Sequence, residues 1–293
     1  MLNFQPLQLE DITKLRPYFE TCTSRISDQT PGAAVMWREY FHTQYAIEDG
    51  VLYFQVIHYG GELAFTSPIG AQTPDAYGKL IDYCRQTDTP LVLCMLPEDL
   101  IGPMQSCCPQ AELITNEIWS DYLYDAQSMV TFAGRKLSGQ RNHVNKFKRL
   151  YENWTFEPID ASNLADARAF TERFIAEHKK DSATLEEGDR KTLEVLDHYE
   201  LYGMLGGVLR VDGAIVGISI AEKLGDTLFI HVEKCLREYE GSYPMMVQCF
   251  AKHYVTEDIH YINREEDDGD PGLRTSKQSY HPVALLKKYT VRV

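Results

Sequence analysis

No Cys-x-x-Cys pair occurs among the seven cysteines, which stand at positions 22, 84, 94, 107, 108, 235 and 249. Zinc ribbons and thioredoxin-like redox motifs are therefore excluded, and reduced, buried thiols are expected. No apolar run approaches the ~18 residues that a membrane-spanning helix needs. The chain opens without a basic segment followed by an apolar one, so residence in the cytoplasm is expected. The G-x-S-x-G elbow, H-E-x-x-H, the Walker A loop and G-x-G-x-x-G are all missing, and there is no low-complexity tract. Basic residues are in short supply, 29 against 43 acidic ones, for a net charge of -14. Broad adsorption to nucleic acid or anionic lipid is disfavoured.

What is present is a chain of 293 residues, 44% apolar and 11% aromatic. That length suggests two domains, or one with an internal duplication, and it can hide roughly three quarters of the unfolded surface. Charge is unevenly spread. From Ala126 to Tyr151 there is no Asp or Glu, while Arg135, Lys136, Arg141, Lys146, Lys148 and Arg149 all fall there. The rest of the chain is left near -20.

Leu9, Ile12, Leu15, Phe19 and Cys22 recur at helical spacing, and a second helix is expected from Pro31 to Tyr45. Val51 to His58 alternates, turns at Gly60-Gly61 and returns through Leu63 to Thr66 as a hairpin. An amphipathic helix from Pro74 to Arg85 and strands at 91–95, 111–115 and 119–124 complete the first half. The second half repeats the order. Helices are expected near 163–178 and 188–198, then an antiparallel meander through 205–211, 215–221 and 227–235. Ser242 is an N-cap candidate for a following helix with Pro244 in its first turn, and Asp270-Pro271 opens a short helix to Tyr280. A last strand is expected near 285–293. The boundaries read as 1–125, a basic linker and bridging helix at 126–151, and 152–293.

The order meander, turn, helix, strand, short helix resembles that of GNAT-type acyltransferases. Two segments carry a narrower resemblance: Arg135 to Phe147 (RKLSGQRNHVNKF) and Ile262 to Pro282 (INREEDDGDPGLRTSKQSYHP). They are similar to a bacterial family allied to the soluble C-terminal domain of phosphatidylglycerol lysyltransferase, and they identify no reaction by themselves. The resemblance implies an α+β fold of two fused GNAT-like (acyl-CoA N-acyltransferase-like) units. Each would be a mixed, mainly antiparallel sheet flanked by helices. It also implies transfer of an acyl or aminoacyl group, with aminoacyl-tRNA as donor in the lysyltransferase, to an amine or hydroxyl. Those lysyltransferases carry a multi-spanning membrane half with no counterpart in this sequence, so a small-molecule acceptor is expected rather than a lipid.

The GNAT pattern R/Q-x-x-G-x-G/A cradles a coenzyme A pyrophosphate on backbone N–H groups. Here the matching run is Arg237 to Ser242, with Glu240 at the first glycine position. A carboxylate there repels a pyrophosphate, and its side chain obstructs close backbone approach. An aminoacyl ester has no pyrophosphate to hold. It needs cations for the tRNA phosphates instead, and the 135–149 segment supplies them. A solvated or internally paired helix face explains the same charges. The donor-binding set is thus Arg135, Lys136, Arg141, Arg237, Gly241 and Ser242.

In the acidic loop and the helix after it, Arg274, Lys277 and His281 share a face, whereas Leu273 and Tyr280 should point inward. Asp268, Asp270, Arg274, Lys277 and Tyr280 form the expected substrate site, with Arg274 as a fork for an amino-acid carboxylate. The bland alternative is an ion-paired loop with an ordinary cap. On the strand 228–235, Glu233 is the first candidate for a general base and His231 the second. No metal site is expected. Two other readings stay open: a non-catalytic protein that binds an amino-acid-like ligand, and an acetyl-CoA-dependent N-acetyltransferase.

Overall fold

The computed structural model describes residues 1–58, 60–70, 74–178 and 183–293. Its strands are β1 (Gln5–Pro6), β2 (Gln44–Glu48), β3 (Val51–His58), β4 (Glu62–Phe65), β5 (Val92–Pro97), β6 (Glu112–Thr115), β7 (Asp121–Asp125), β8 (Trp154–Pro158), β9 (Leu205–Val211), β10 (Ala214–Leu224), β11 (Thr227–Cys235), β12 (Tyr261–Asn263), β13 (Ala284–Leu286) and β14 (Lys288–Arg292). They form two seven-stranded sheets, ordered β1-β2-β3-β4-β5-β14-β6 and β13-β7-β12-β11-β10-β9-β8. The helices are α1 (Asp11–Phe19), α2 (Pro31–Met36), α3 (Pro74–Gln86), α4 (Ile101–Cys107), α5 (Ala126–Thr131), α6 (Ser138–Leu150), α7 (Leu164–Glu177), α8 (Ala183–Asp197), α9 (Tyr199–Tyr202), α10 (Ser242–Tyr254) and α11 (Pro271–Gln278). Among the described residues no helix is long and apolar enough to cross a membrane.

Two compact units result, Met1–Asp121 with Leu286–Val293, and Tyr122–Leu285. The chain's last strand therefore does not close the second half, as its position suggests. It enters the first sheet, where Val291 pairs with Leu93 on one side and Leu113 on the other and is fully buried. Both of its edges gain a ladder, and the Lys288 ammonium meets Asp28 at 2.5 Å and Asp121 at 2.7 Å. In the opposite direction, β7 leaves the first half and pairs with β12. The basic helix α6 lies within the second unit rather than in a linker, because Val144 and Phe147 are buried in its core with Met245, Met246 and Phe250 of α10.

Two local readings change. The helix expected over 31–45 stops at Met36, and His42 takes a left-handed φ of 47°. Residues 37–43 turn, and Gln44–Glu48 form β2, where Tyr45 and Ile47 find cross-strand partners in Phe54 and Leu52. Ser242 is not the N-cap of α10. Gly241 occupies that position at φ 87°, and the Ser242 hydroxyl donates to the Leu236 carbonyl at 2.8 Å. A Cβ on Gly241 would sit 2.6 Å from the His143 carbonyl oxygen, so only glycine fits against α6.

Candidate functional site

In the second unit β11 and β12 run parallel, but only Thr227–Phe229 and Tyr261–Asn263 are paired. β11 continues to Cys235 while β12 ends at Asn263, so the two strands part beyond the pairing and the crevice between them is filled by Arg264 and Tyr280. Arg264, the first residue past the pairing, reaches across it. Its Nη2 donates to Glu233 Oε1 at 2.9 Å, and its guanidinium lies 4.6 Å from the centre of the Tyr280 ring and 5.8 Å from that of Tyr124. Side-chain exposure is 9% for Arg264 and 13% for Glu233. A charge this buried needs a counter-ion, and the two π faces add to what Glu233 provides. Arg264 Nη1 nevertheless has no hydrogen-bond partner among the described residues.

His231 sits where β11 carries one residue more than β10. Ile220 faces Val232 and Ala221 faces Ile230, so His231 is the bulged residue. Its Nε2 meets Glu222 Oε1 and its Nδ1 meets Glu265 Oε1, both at 2.8 Å. Burial pulls the imidazole pKa down, but the two carboxylates outweigh it and push it up to about 10. The ring is thus an imidazolium that donates from both nitrogens and has no lone pair left to take a proton. A histidine held charged when folded stabilises fully below its ordinary pKa of ~6.5, and the contribution drains away as the pH rises toward the folded value. Unfolding free energy should fall by about 1–3 kcal/mol between pH 7 and pH 9. Denaturant titration at the two pH values checks this, and His231→Gln should flatten the slope.

The acidic loop is ordered by Asp267, a residue the sequence did not single out. It accepts from Arg274 Nε at 2.9 Å and Nη2 at 3.0 Å, from the Tyr122 hydroxyl at 2.6 Å and from the Gly269 N–H at 2.9 Å. Arg274 is a fork for a carboxylate, as its chemistry suggests, yet the carboxylate is internal. Lys277 donates to the carbonyls of Arg264, at 2.6 Å, and Glu266. Asp270 caps α11 by accepting the Leu273 N–H at 2.8 Å, while its neighbour Asp268 stands exposed. Tyr280 points inward and is 2% exposed, but Leu273 is 41% exposed. The short helix is anchored by its polar contacts and by the Tyr280 ring rather than by an apolar row, and Leu273 faces out.

Among the expected donor residues, Arg135 and Lys136 line a cleft of about 640 Å³ together with Ser128, Gln278, Tyr280 and His281. Tyr280 belongs to both cleft and crevice. Arg141 instead donates to the carbonyls of Phe132 and Gly134, and it holds the turn that carries Arg135 and Lys136. Arg237, Gly241 and Ser242 do not line the cleft. Their loop packs on α6, where the Glu240 N–H donates to the Tyr151 hydroxyl at 3.1 Å and the Glu240 carboxylate pairs with Lys146. Glu222, Arg264, Glu265 and Asp267 escaped the sequence reading. A glutamate inside the apolar run Ala214–Leu224 was a signal for Glu222, and Glu265 and Asp267 were visible only as members of the acidic loop.

The sequence profile described as phosphatidylglycerol lysyltransferase, C-terminal, matches residues 19–292. A conserved protein of unknown function from Bacteroides thetaiotaomicron superposes with a TM-score of 0.93 at 26% identity, covering 100% of both chains. L-PGS of Bacillus licheniformis gives a TM-score of 0.68 at 15% identity, over 98% of this chain and 93% of that one. An uncharacterised protein of Mycoplasmoides gallisepticum is 26% identical over 183 residues, which are 61% of this chain and 58% of that relative's length.

Proposed function

The chain belongs to the phosphatidylglycerol lysyltransferase C-terminal family, with the fold of two fused GNAT-like units, and on that premise we propose that its second unit transfers an acyl or aminoacyl group from an activated ester, such as aminoacyl-tRNA, to a small amine or hydroxyl acceptor. The observation that carries this reading is the buried Glu233–Arg264 pair, whose guanidinium retains an N–H without an acceptor. Attack by an amine on the ester carbonyl forms the new C–N bond and breaks the C–O bond to the leaving hydroxyl. Glu233 receives the amine proton and returns it to that hydroxyl, and Arg264 Nη1, closed to solvent before substrate enters, donates to the oxyanion between the two events once the site opens around the ester. His231 keeps Glu265 tied to β11 and takes no proton itself.

Arg135 and Lys136 in the neighbouring cleft suit the phosphates of a donor. The loop from Arg237 to Ser242, packed on α6, favours a donor that lacks a pyrophosphate. The alternative of an amino-acid sensor at Asp270–Tyr280 is weakened because Arg274 already grips Asp267.

Incubation with a charged tRNA pool and a set of amine and hydroxyl acceptors tests the proposal. Glu233→Gln should lower turnover by about 10²-fold or more while the protein remains folded, its melting temperature lower by several degrees. Equal turnover in that variant would remove the assigned base. The double variant Arg135→Glu, Lys136→Glu should bind tRNA more weakly and with a salt slope smaller by about 2. An unaltered slope would place the donor elsewhere, and stabilisation by acetyl coenzyme A would overturn the donor preference.

A further inference from the structure

The first unit contains the same kind of crevice as the second, but it is not filled. β4 and β5 are parallel neighbours joined at a single pair, Phe65 and Leu93. Beyond it, Thr66 on one side and Cys94 and Met95 on the other line a cavity of about 80 Å³. One water needs roughly 10–15 Å³ measured in this way, so there is room for a group the size of an amino-acid side chain. In the second unit the corresponding opening holds Arg264 and Tyr280. Here the walls are Trp37, Phe41, Phe54, Val56 and Met95, with Asp28 as the one carboxylate among the described lining residues.

The strand that forms this wall is distorted at the cavity. Cys94 and Met95 together face the single residue Thr290, and Met95 adopts a left-handed φ of 52°. A non-glycine residue in that region costs of order 1–3 kcal/mol, and such strain within a bulge re-aims a side chain. Asp28 is 32% exposed and shares the Lys288 ammonium with the buried Asp121. Of the other ionisable lining groups, burial lowers the His58 pKa and raises that of the Cys94 thiol, so both are neutral at pH 7.

We propose that this crevice is a second ligand site, which takes a primary ammonium on a compact apolar body, the ammonium at Asp28 and the carbon skeleton against Trp37, Phe41 and Met95. An amine satisfies every wall. The carboxylate and the indole and phenyl faces attract a cation, while the sulfur and hydrocarbon groups accept its body. A carboxylate ligand would meet Asp28 as a like charge.

Calorimetric titration of the full chain at pH 7 with hexylamine and phenethylamine, beside 1-hexanol, 2-phenylethanol and hexanoate, tests the site. The amines should bind saturably, one per chain and at least about tenfold tighter than the alcohols, with no binding of hexanoate. Asp28→Asn should erase the preference for amine over alcohol, and Ala34→Phe, which fills the cavity, should abolish amine binding. Amine addition should also change the tryptophan fluorescence of the unsubstituted protein and leave Trp37→Phe unaffected. No saturable binding of any probe, equal affinity for amine and alcohol, or amine binding that survives Ala34→Phe would each overturn the proposal.

Discussion

Replacing Arg264 with alanine is expected to destabilise the second unit by about 3–5 kcal/mol, read as a lower denaturation midpoint, because Glu233 would then keep a buried charge without a counter-ion. The loss should exceed that for Glu233→Gln, which preserves both volume and an acceptor for Arg264 Nη2 but leaves the buried guanidinium without its counter-ion and should cost about 2–3 kcal/mol. Removing both charges, as in Arg264→Met with Glu233→Leu, should recover most of the stability, since apolar groups of similar size fill such a site at little cost. The three variants separate two ideas. If the pair serves only to hold the fold, the double variant is stable and any transfer activity persists. On the proposed chemistry it is stable and inert. An Arg264→Ala protein as stable as the parent would mean that water reaches Glu233 freely, and the dry crevice would be lost as a premise.

Asp267→Ala should release the segment from Arg264 to His281. Four hydrogen bonds converge on that carboxylate, three of them from side chains, and its side chain is 2% exposed. Removing a buried acceptor of this kind costs about 2–4 kcal/mol, and the amides of α11 should exchange with solvent much faster. Unchanged exchange there would show that Tyr280 and the Asp270 cap suffice. The pH response gives an independent reading. Burial works to raise the Asp267 pKa, but the bonds from Arg274, Tyr122 and Gly269 prevail and hold it at about 2. An acid depressed in the folded state contributes its full stabilisation above its ordinary value near 4 and loses it as the pH falls through the folded value. About 2 kcal/mol should therefore disappear between pH 4 and pH 2, and the alanine variant should lack that component.

Much of the second unit was legible because its signals are local. Asp212-Gly213 turns one meander strand into the next, and the apolar stripe of α10 repeats at helical spacing. Asp270-Pro271 opens α11 with the expected bond to Leu273. The chemistry was less legible. Glu233 and His231 stand out in the sequence because they share a strand, but the sequence could not say that His231 occupies a bulge between two carboxylates. Arg274 looked like a reader of carboxylates, and only its contact with Asp267 shows that the carboxylate is its own. Arg264 gave no signal beyond its place at the end of a strand.

The sequence by itself determined most of the longer helices and strands, their order within each half, and the family to which they belong. Hydrophobic period, turn residues and caps act within a few positions of themselves, and those rules need no knowledge of the whole. Only the tertiary structure decided that β14 inserts between β5 and β6, that β7 joins the second sheet, and which charges meet. Glu233 and Arg264 lie 31 residues apart and Tyr122 and Asp267 lie 145 apart. Such pairings follow from where sheet edges and buried counter-charges find partners, and no local pattern encodes that distance.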